Sequence, residues 1–173
     1  MYNYKLIDNT PVTLLQLDDY HGENFMIGYV MVGTNDLNNA SKFYDPVLET
    51  LGLIRGITDA EYIGYGSLQS PKLIEFYLTK PFNGEAATYG NGTMIAMLAK
   101  SRNDVDNFHA TALANGGIDE GKPGTRIDGD ETYYAYVRDL DGNKICGYCA
   151  VSYTHLRAHE TEADLVCRLL LEK

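Results

Sequence analysis

MIGYVMVGTNDLNNASKFYDPVLETLGL, residues 26–53, decides the fold, because it reads as one strand, one tight connection and one amphipathic helix. From Ile27 the side chains alternate, with Tyr29 and Met31 on one face and Val30 and Val32 on the other. Asn35 is placed to cap the helix that follows. Leu37, Ala40, Phe43, Val47, Leu48 and Leu51 recur at the spacing of a single apolar stripe, and Gly52 ends it as a left-handed cap.

The same pattern returns 65 residues later without a gap. Tyr29 meets Met94, Val30 meets Ile95, Val32 meets Met97, Phe43 meets Phe108, Leu48 meets Leu113, Gly52 meets Gly117 and Leu53 meets Ile118. A shared period of this kind is a statement about architecture. Between the copies, strands are expected near Leu53 to Thr58, near Glu61 to Ser67 and from Lys72 to Thr79, with turns at 66–71 and 80–84. The second copy runs from Thr93 through a helix at Val105 to Asn115, whose stripe is Val105, Phe108, Ala112 and Leu113. Gly116 and Gly117 stop it, and DEGKPGTRIDGDE, residues 119–131, reads as a polar loop. A strand from Thr132 to Arg138, a turn Asp139-Leu140-Asp141-Gly142-Asn143 and a strand from Lys144 to Cys149 complete the unit. Asp-Gly marks a hairpin. The carboxylates of that turn hint at calcium, but the twelve-residue ligand pattern is missing and the turn reading is preferred.

The ends lie outside the repeat. Residues 1–25 carry Lys5 against Asp8, Asp18, Asp19 and Glu23, and two readings stand: a translated leader before a start at Met26, or an edge strand at Val12 to Leu17. Residues 151–173 read as a short helix with His155 and His159 four apart. That string also resembles the translated sequencing adapter found at the ends of unrelated predicted proteins, in which case neither its histidines nor Cys167 has a role.

A chain of 173 residues with 45% apolar content can bury its own core, and one domain is expected. Fourteen basic against 24 acidic residues give a net charge of −10, which opposes binding to nucleic acid and to anionic membranes. No apolar run has the length of a membrane span and no signal peptide is evident, so a cytoplasmic protein is expected. Cys146 and Cys149 sit in a strand at odd spacing, which points them to opposite faces and argues against a redox or zinc pair.

Sorting the strands by alternation assigns Val30, Val32, Ile74, Phe76, Leu78, Ile95 and Met97 to the face beneath the helices. The other face carries Tyr29, Met31, Glu75, Tyr77, Met94, Ala96, Cys146 and Tyr148, a lining that fits a ligand cup. The bland alternative is that these aromatics fill the sheet or meet a partner subunit.

The strand, helix and three strands repeated, the run Asn35-Asp36-Leu37 followed by Phe43-Tyr44, the Leu51-Gly52 helix end and the 139–143 turn resemble the glyoxalase, bleomycin-resistance and extradiol-dioxygenase superfamily, also called vicinal oxygen chelate. The resemblance covers residues 26–150, in modules of about 26–80 and 92–150. It implies an α+β fold in which two βαβββ modules form a curved mixed sheet with helices outside, and a homodimer. In metal-dependent members a ligand, usually histidine or glutamate, stands on the first, fourth, fifth and eighth strands. Those positions here fall on Tyr29, Glu75, Met94 and Cys146. Only Glu75 keeps the type, and His21 and His109 are not placed to substitute, so no metal site is expected and a divalent ion is the disfavoured alternative. Glu75 is the candidate acid or base, against a carboxylate merely satisfied by Tyr29 or Tyr77. Arg126 is a candidate for an anionic ligand, against a solvated loop arginine. Three functions follow: a metal-free small-molecule binder of the bleomycin-resistance kind, a glyoxalase-related lyase or isomerase using Glu75 or an atypical ion, and a scaffold whose cup is a subunit interface.

Overall fold

The computed structural model describes residues 27–129 and 131–150. The readings made on Val12 to Leu17, His21, His155, His159 and Cys167 fall outside them. The described chain runs β1 (Val30–Gly33), α1 (Leu37–Glu49), β2 (Leu53–Thr58), β3 (Tyr62–Ser67), β4 (Ile74–Thr79), β5 (Ile95–Leu98), α2 (Arg102–Ala114), β6 (Ile118–Gly124), β7 (Tyr133–Arg138) and β8 (Lys144–Cys149). This is a duplicated βαβββ unit. Both helices hold 13 residues, and the starts of β1, α1 and β2 recur in β5, α2 and β6 at the offset of 65. The offset then fails, because the β6–β7 connection is longer than its counterpart.

Each unit closes its own four-stranded mixed sheet, ordered β1-β4-β3-β2 and β5-β8-β7-β6, with the first and last strands of the unit parallel and the other pairs antiparallel. The helix crossover between β1 and β2 is what permits the parallel pair. The helices lie on one side: α1 packs on β2, β3 and β4, α2 packs on β6, β7 and β8, and the two helices touch. Phe43, Val47 and Leu48 of α1, Phe76 and Leu78 of β4, Phe108 of α2 and Val137 and Ile145 of the second sheet join in one buried cluster, so both units share a core. Burying side chains of that size contributes about 1.5–3 kcal/mol each.

Several local expectations need correction. Asp36 caps α1, its carboxylate accepting from the Asn39 amide at 3.0 Å, while Asn35 bonds to Asp141 and Ala87 instead. Helix α2 begins at Arg102 under a Ser101 cap, three residues before the apolar stripe starts. On its stripe His109 is buried and Leu113 is 38% exposed, because the His109 Nε2 finds Asp119 Oδ1 at 3.1 Å and is thereby satisfied. The polar stretch at 119–131 is partly a strand, β6, whose pairing with β7 is shifted twice. Pro123 and three glycines in or beside it had hidden that strand from a pattern reading. Gly52 takes φ 81 as expected, but in the second copy the left-handed residue is Gly116, at φ 92. Ile74 leaves the helix side: a bulge opposes Gly66 to Ile74 and Tyr65 to Phe76, and side-chain atoms of Ile74 would lie within 2.8 Å of a Cβ at Gly64, where the Tyr77 ring also sits.

A polar clamp joins the two units. The Tyr44 hydroxyl donates to Asp139 Oδ2 at 2.7 Å, Thr34 Oγ1 and the Asn35 amides donate to Asp141, and Asn143 Nδ2 donates to the Gly33 carbonyl at 3.1 Å. Asp139 is 3% exposed and also accepts from the amides of Asp141 and Asn143. These bonds account for the carboxylates of the 139–143 turn. Burial first, and the facing Asp139 carboxylate next, hold the Tyr44 phenol far above its ordinary range, so it stays a donor.

Candidate functional site

The faces turned away from the helices carry the unusual chemistry. On the first sheet β1 and β4 run parallel with Met31 beside Tyr77, and period-two alternation sends Val32 and Leu78 into the core and leaves Met31 and Tyr77 outside. The Tyr29 and Tyr77 rings meet edge to face at 5.3 Å, and Tyr62 meets Tyr77 at 5.9 Å. Tyr29 is 58% and Met31 50% exposed. None of Tyr29, Glu75 or Tyr77 is buried in the helix layer.

A cavity of about 430 Å³ lies between the units, beside the end of α1. Tyr29 and Glu75 line it together with Leu51, Gln69, Met97 and Lys100. Glu75 reaches it because the β4 bulge leaves this residue without a partner across the ladder. Bulges commonly re-aim a side chain in this way. Met31 lines a smaller cavity of about 180 Å³ with Tyr89, Thr93 and Lys144. Met94 is 44% exposed and lines neither of these two cavities.

On the second sheet, Ala135 and Val137 are buried toward α2 and Tyr134 and Tyr136 face away. Tyr148 stands opposite Tyr134 and Cys146 opposite Tyr136. The three phenol rings are nearly parallel: Tyr136 to Tyr134 is 6.1 Å at 9°, and Tyr134 to Tyr148 is 6.0 Å at 19°. Arg126 lies over the Tyr136 ring at 5.1 Å, its Nη2 donating to the carbonyls of Lys122 and Tyr134. Lys144 approaches the same ring at 5.3 Å. Cys146 is 1% exposed, and burial pushes its thiol up to about 11 against the opposing pull of the Arg126 charge. Sequence reasoning missed Tyr134, Tyr136 and Lys144, although the alternation in Tyr-Tyr-Ala-Tyr-Val-Arg marks both phenols for the open face.

The positions that resemblance marks for metal ligands carry ill-matched chemistry. Tyr29 and Glu75 share a cavity, Met94 is 44% exposed just before β5, and Cys146 is a buried thiol that stays protonated near neutral pH. One carboxylate with a phenol, a thioether and a neutral thiol does not fit a hard divalent ion. Among the described residues no group of three or more His, Cys, Asp or Glu side chains is arranged to hold a metal.

Duplicated βαβββ units with helices on one side and open aromatic sheets on the other define a class of fold. The model of the glyoxalase/bleomycin resistance protein/dioxygenase superfamily matches residues 26–146, and the chain belongs to that family. A glyoxalase/bleomycin resistance protein from Albidiferax ferrireducens T118 is 43% identical, over 72% of this chain and 98% of that one, with a TM-score of 0.65. A family enzyme from Burkholderia phytofirmans PsJN, at 16% identity over 72% and 98% of the two chains, superposes with a TM-score of 0.55. A lactoylglutathione lyase from Agrobacterium tumefaciens, at 15% identity over 74% and 95%, gives 0.52. The last two share the fold alone. No curated protein matches the chain. Among the described residues no helix is long and apolar enough to cross a membrane.

Proposed function

We propose that the protein binds a small organic molecule on its open sheet faces without the metal tetrad of its enzymatic relatives, and that it does so as a homodimer. The observation that carries this reading is the exposed apolar lining: Tyr29, Met31, Met94 and Leu98 are each 44–64% exposed on faces that no helix of their own unit covers. Exposed apolar side chains gathered on a sheet face suit a ligand or subunit contact. A second copy laid against these faces would cover Tyr29, Glu75 and Tyr77 of the first unit or Met94, Arg126 and Tyr148 of the second. The unpaired thiols Cys146 and Cys149 suit a reducing cytoplasm.

Native mass spectrometry of the whole chain with parallel elemental analysis tests the proposal. A metal-free dimer carrying an organic adduct supports it. A stoichiometric metal, or a monomer that takes up no organic ligand, overturns it.

The second reading is a glyoxalase-related lyase or isomerase in which Glu75 is the acid or base. It is favoured by one observation, that Glu75 and Lys100 line the same cavity. Formation of lactoylglutathione that Glu75→Gln abolishes would establish it. Absence of turnover, or turnover unchanged in that variant, removes it.

A further inference from the structure

We propose that the open face of the second sheet recognises a planar aromatic ring bearing an anionic group, the ring lying on Tyr134 and Tyr148 and the anion reaching toward Arg126 and Lys144. This rests on the small-molecule reading above and states the chemistry of its ligand.

The ladder has two unlike ends. At one end Tyr148 stands beside Leu98, which is 64% exposed, and across the ladder from Tyr134. At the other end Tyr136 lies between two cations, the Arg126 guanidinium at 5.1 Å and the Lys144 ammonium at 5.3 Å from its ring centre. Parallel rings about 6 Å apart present a π surface on which a further ring stacks. A ligand matching both ends is apolar and flat at one end and negative at the other.

Charge decides the sign. In a chain of 24 acidic and 14 basic residues, Lys122, Arg126, Arg138 and Lys144 lie on β6, the segment after it, β7 and β8, along with Asp119, Glu120, Asp128 and Glu131, so the local arrangement of charge and not its sum is what matters. Glu120 is shared between Arg138 at 2.7 Å and Lys144 at 3.3 Å, so a single carboxylate answers two of the cations. Asp119 is engaged by His109. The two charged groups over the Tyr136 ring are both cations, Arg126 and Lys144, and such a local reversal within a molecule of net charge −10 attracts an anion and repels a cation. Arg126 is also held in place, its Nη atoms bonded to the Thr125, Lys122 and Tyr134 carbonyls, which lowers the entropy lost when it meets a carboxylate.

Calorimetric titration of the whole protein with 2-naphthoate, 2-naphthylmethanol and 2-naphthylmethylammonium tests the inference. These probes share a ring and differ in charge. The acid should bind at least tenfold more tightly than the alcohol or the amine. Arg126→Gln should erase that preference while leaving the alcohol unchanged, Lys144→Gln should reduce it, and Tyr134→Ala should weaken all three. Equal or tighter binding of the amine, or an acid preference that survives both charge variants, overturns the inference while leaving small-molecule binding intact. Binding of none of the three also overturns it, and the adduct search by native mass spectrometry then decides the broader reading independently.

Discussion

Gly147 shows how tightly a single position constrains this fold. A Cβ placed there would come within 2.8 Å of Phe108 Cδ1 and 3.0 Å of Cγ, and Phe108 is fully buried at the centre of α2. Strand β8 can lie directly under the helix only because residue 147 has no side chain. Gly147→Ala should therefore destabilise by about 1–3 kcal/mol through overpacking. Gly28→Ala, where nothing lies within 4 Å of the added Cβ, should fall within about 0.5 kcal/mol of the parent. Urea melts of the two variants check the contrast, and equal losses would show that the ring can move aside. Other residue-level features could not be read ahead. Tyr44 is as buried as the leucines around it, yet no apolar stripe includes it, because its hydroxyl is satisfied by an aspartate 95 positions away. Ile74 obeys a period of two in the sequence and breaks it in the molecule through one bulge. Both depend on partners distant along the chain.

At the scale of elements, β6 is fastened by charge as well as by its ladder to β7. Its own pattern is polar and its ladder to β7 irregular, but Asp119 meets His109 of α2, and Glu120 meets Arg138 of β7 and Lys144 of β8. The hydrogen bond from His109 holds the Asp119 carboxyl below its usual range, and that from Arg138 does the same for Glu120, with Lys144 adding to it. A carboxyl that titrates lower when folded is protonated first in the unfolded chain. Its contribution is complete above the ordinary carboxylate values of 3.8 and 4.5 and is lost as pH falls toward the folded ones. Melting temperature followed from about pH 7 down to about pH 3 should hold level and then drop, and Asp119→Asn with Glu120→Gln should start lower and drop less steeply. An acid limb of the same slope in the double variant would place the sensitivity elsewhere. The elements carrying strong periodicity, β1, α1 and β5, were legible from the sequence. Strand β6 was not, since it is held by side chains on three other elements rather than by an apolar face of its own. For the same reason the eight candidate site residues could be listed by face yet not grouped. Strand alternation says which side of a sheet a residue takes, and says nothing of whether Glu75 and Tyr148 meet.

For the whole molecule, the clamp between units ties together residues 95 to 110 positions apart, whereas β3 pairs with β4 and β7 with β8 across short turns. Contacts of high sequence separation incur loop-closure entropy before they return any stabilisation, so each half should organise before the two are joined. Tyr44→Phe would leave Asp139 with one donor fewer at a buried site and is expected to cost about 1–3 kcal/mol. If the clamp forms last, that loss appears in the unfolding rate while refolding keeps its speed. Stopped-flow chevrons of the variant and the parent distinguish this from a clamp made early, for which refolding would slow instead. A clamp that forms last makes the 139–143 turn a latch on time as well as on shape: the latch residues are the later to emerge from synthesis, and until then Tyr44 and Thr34 lack the carboxylates that hold them.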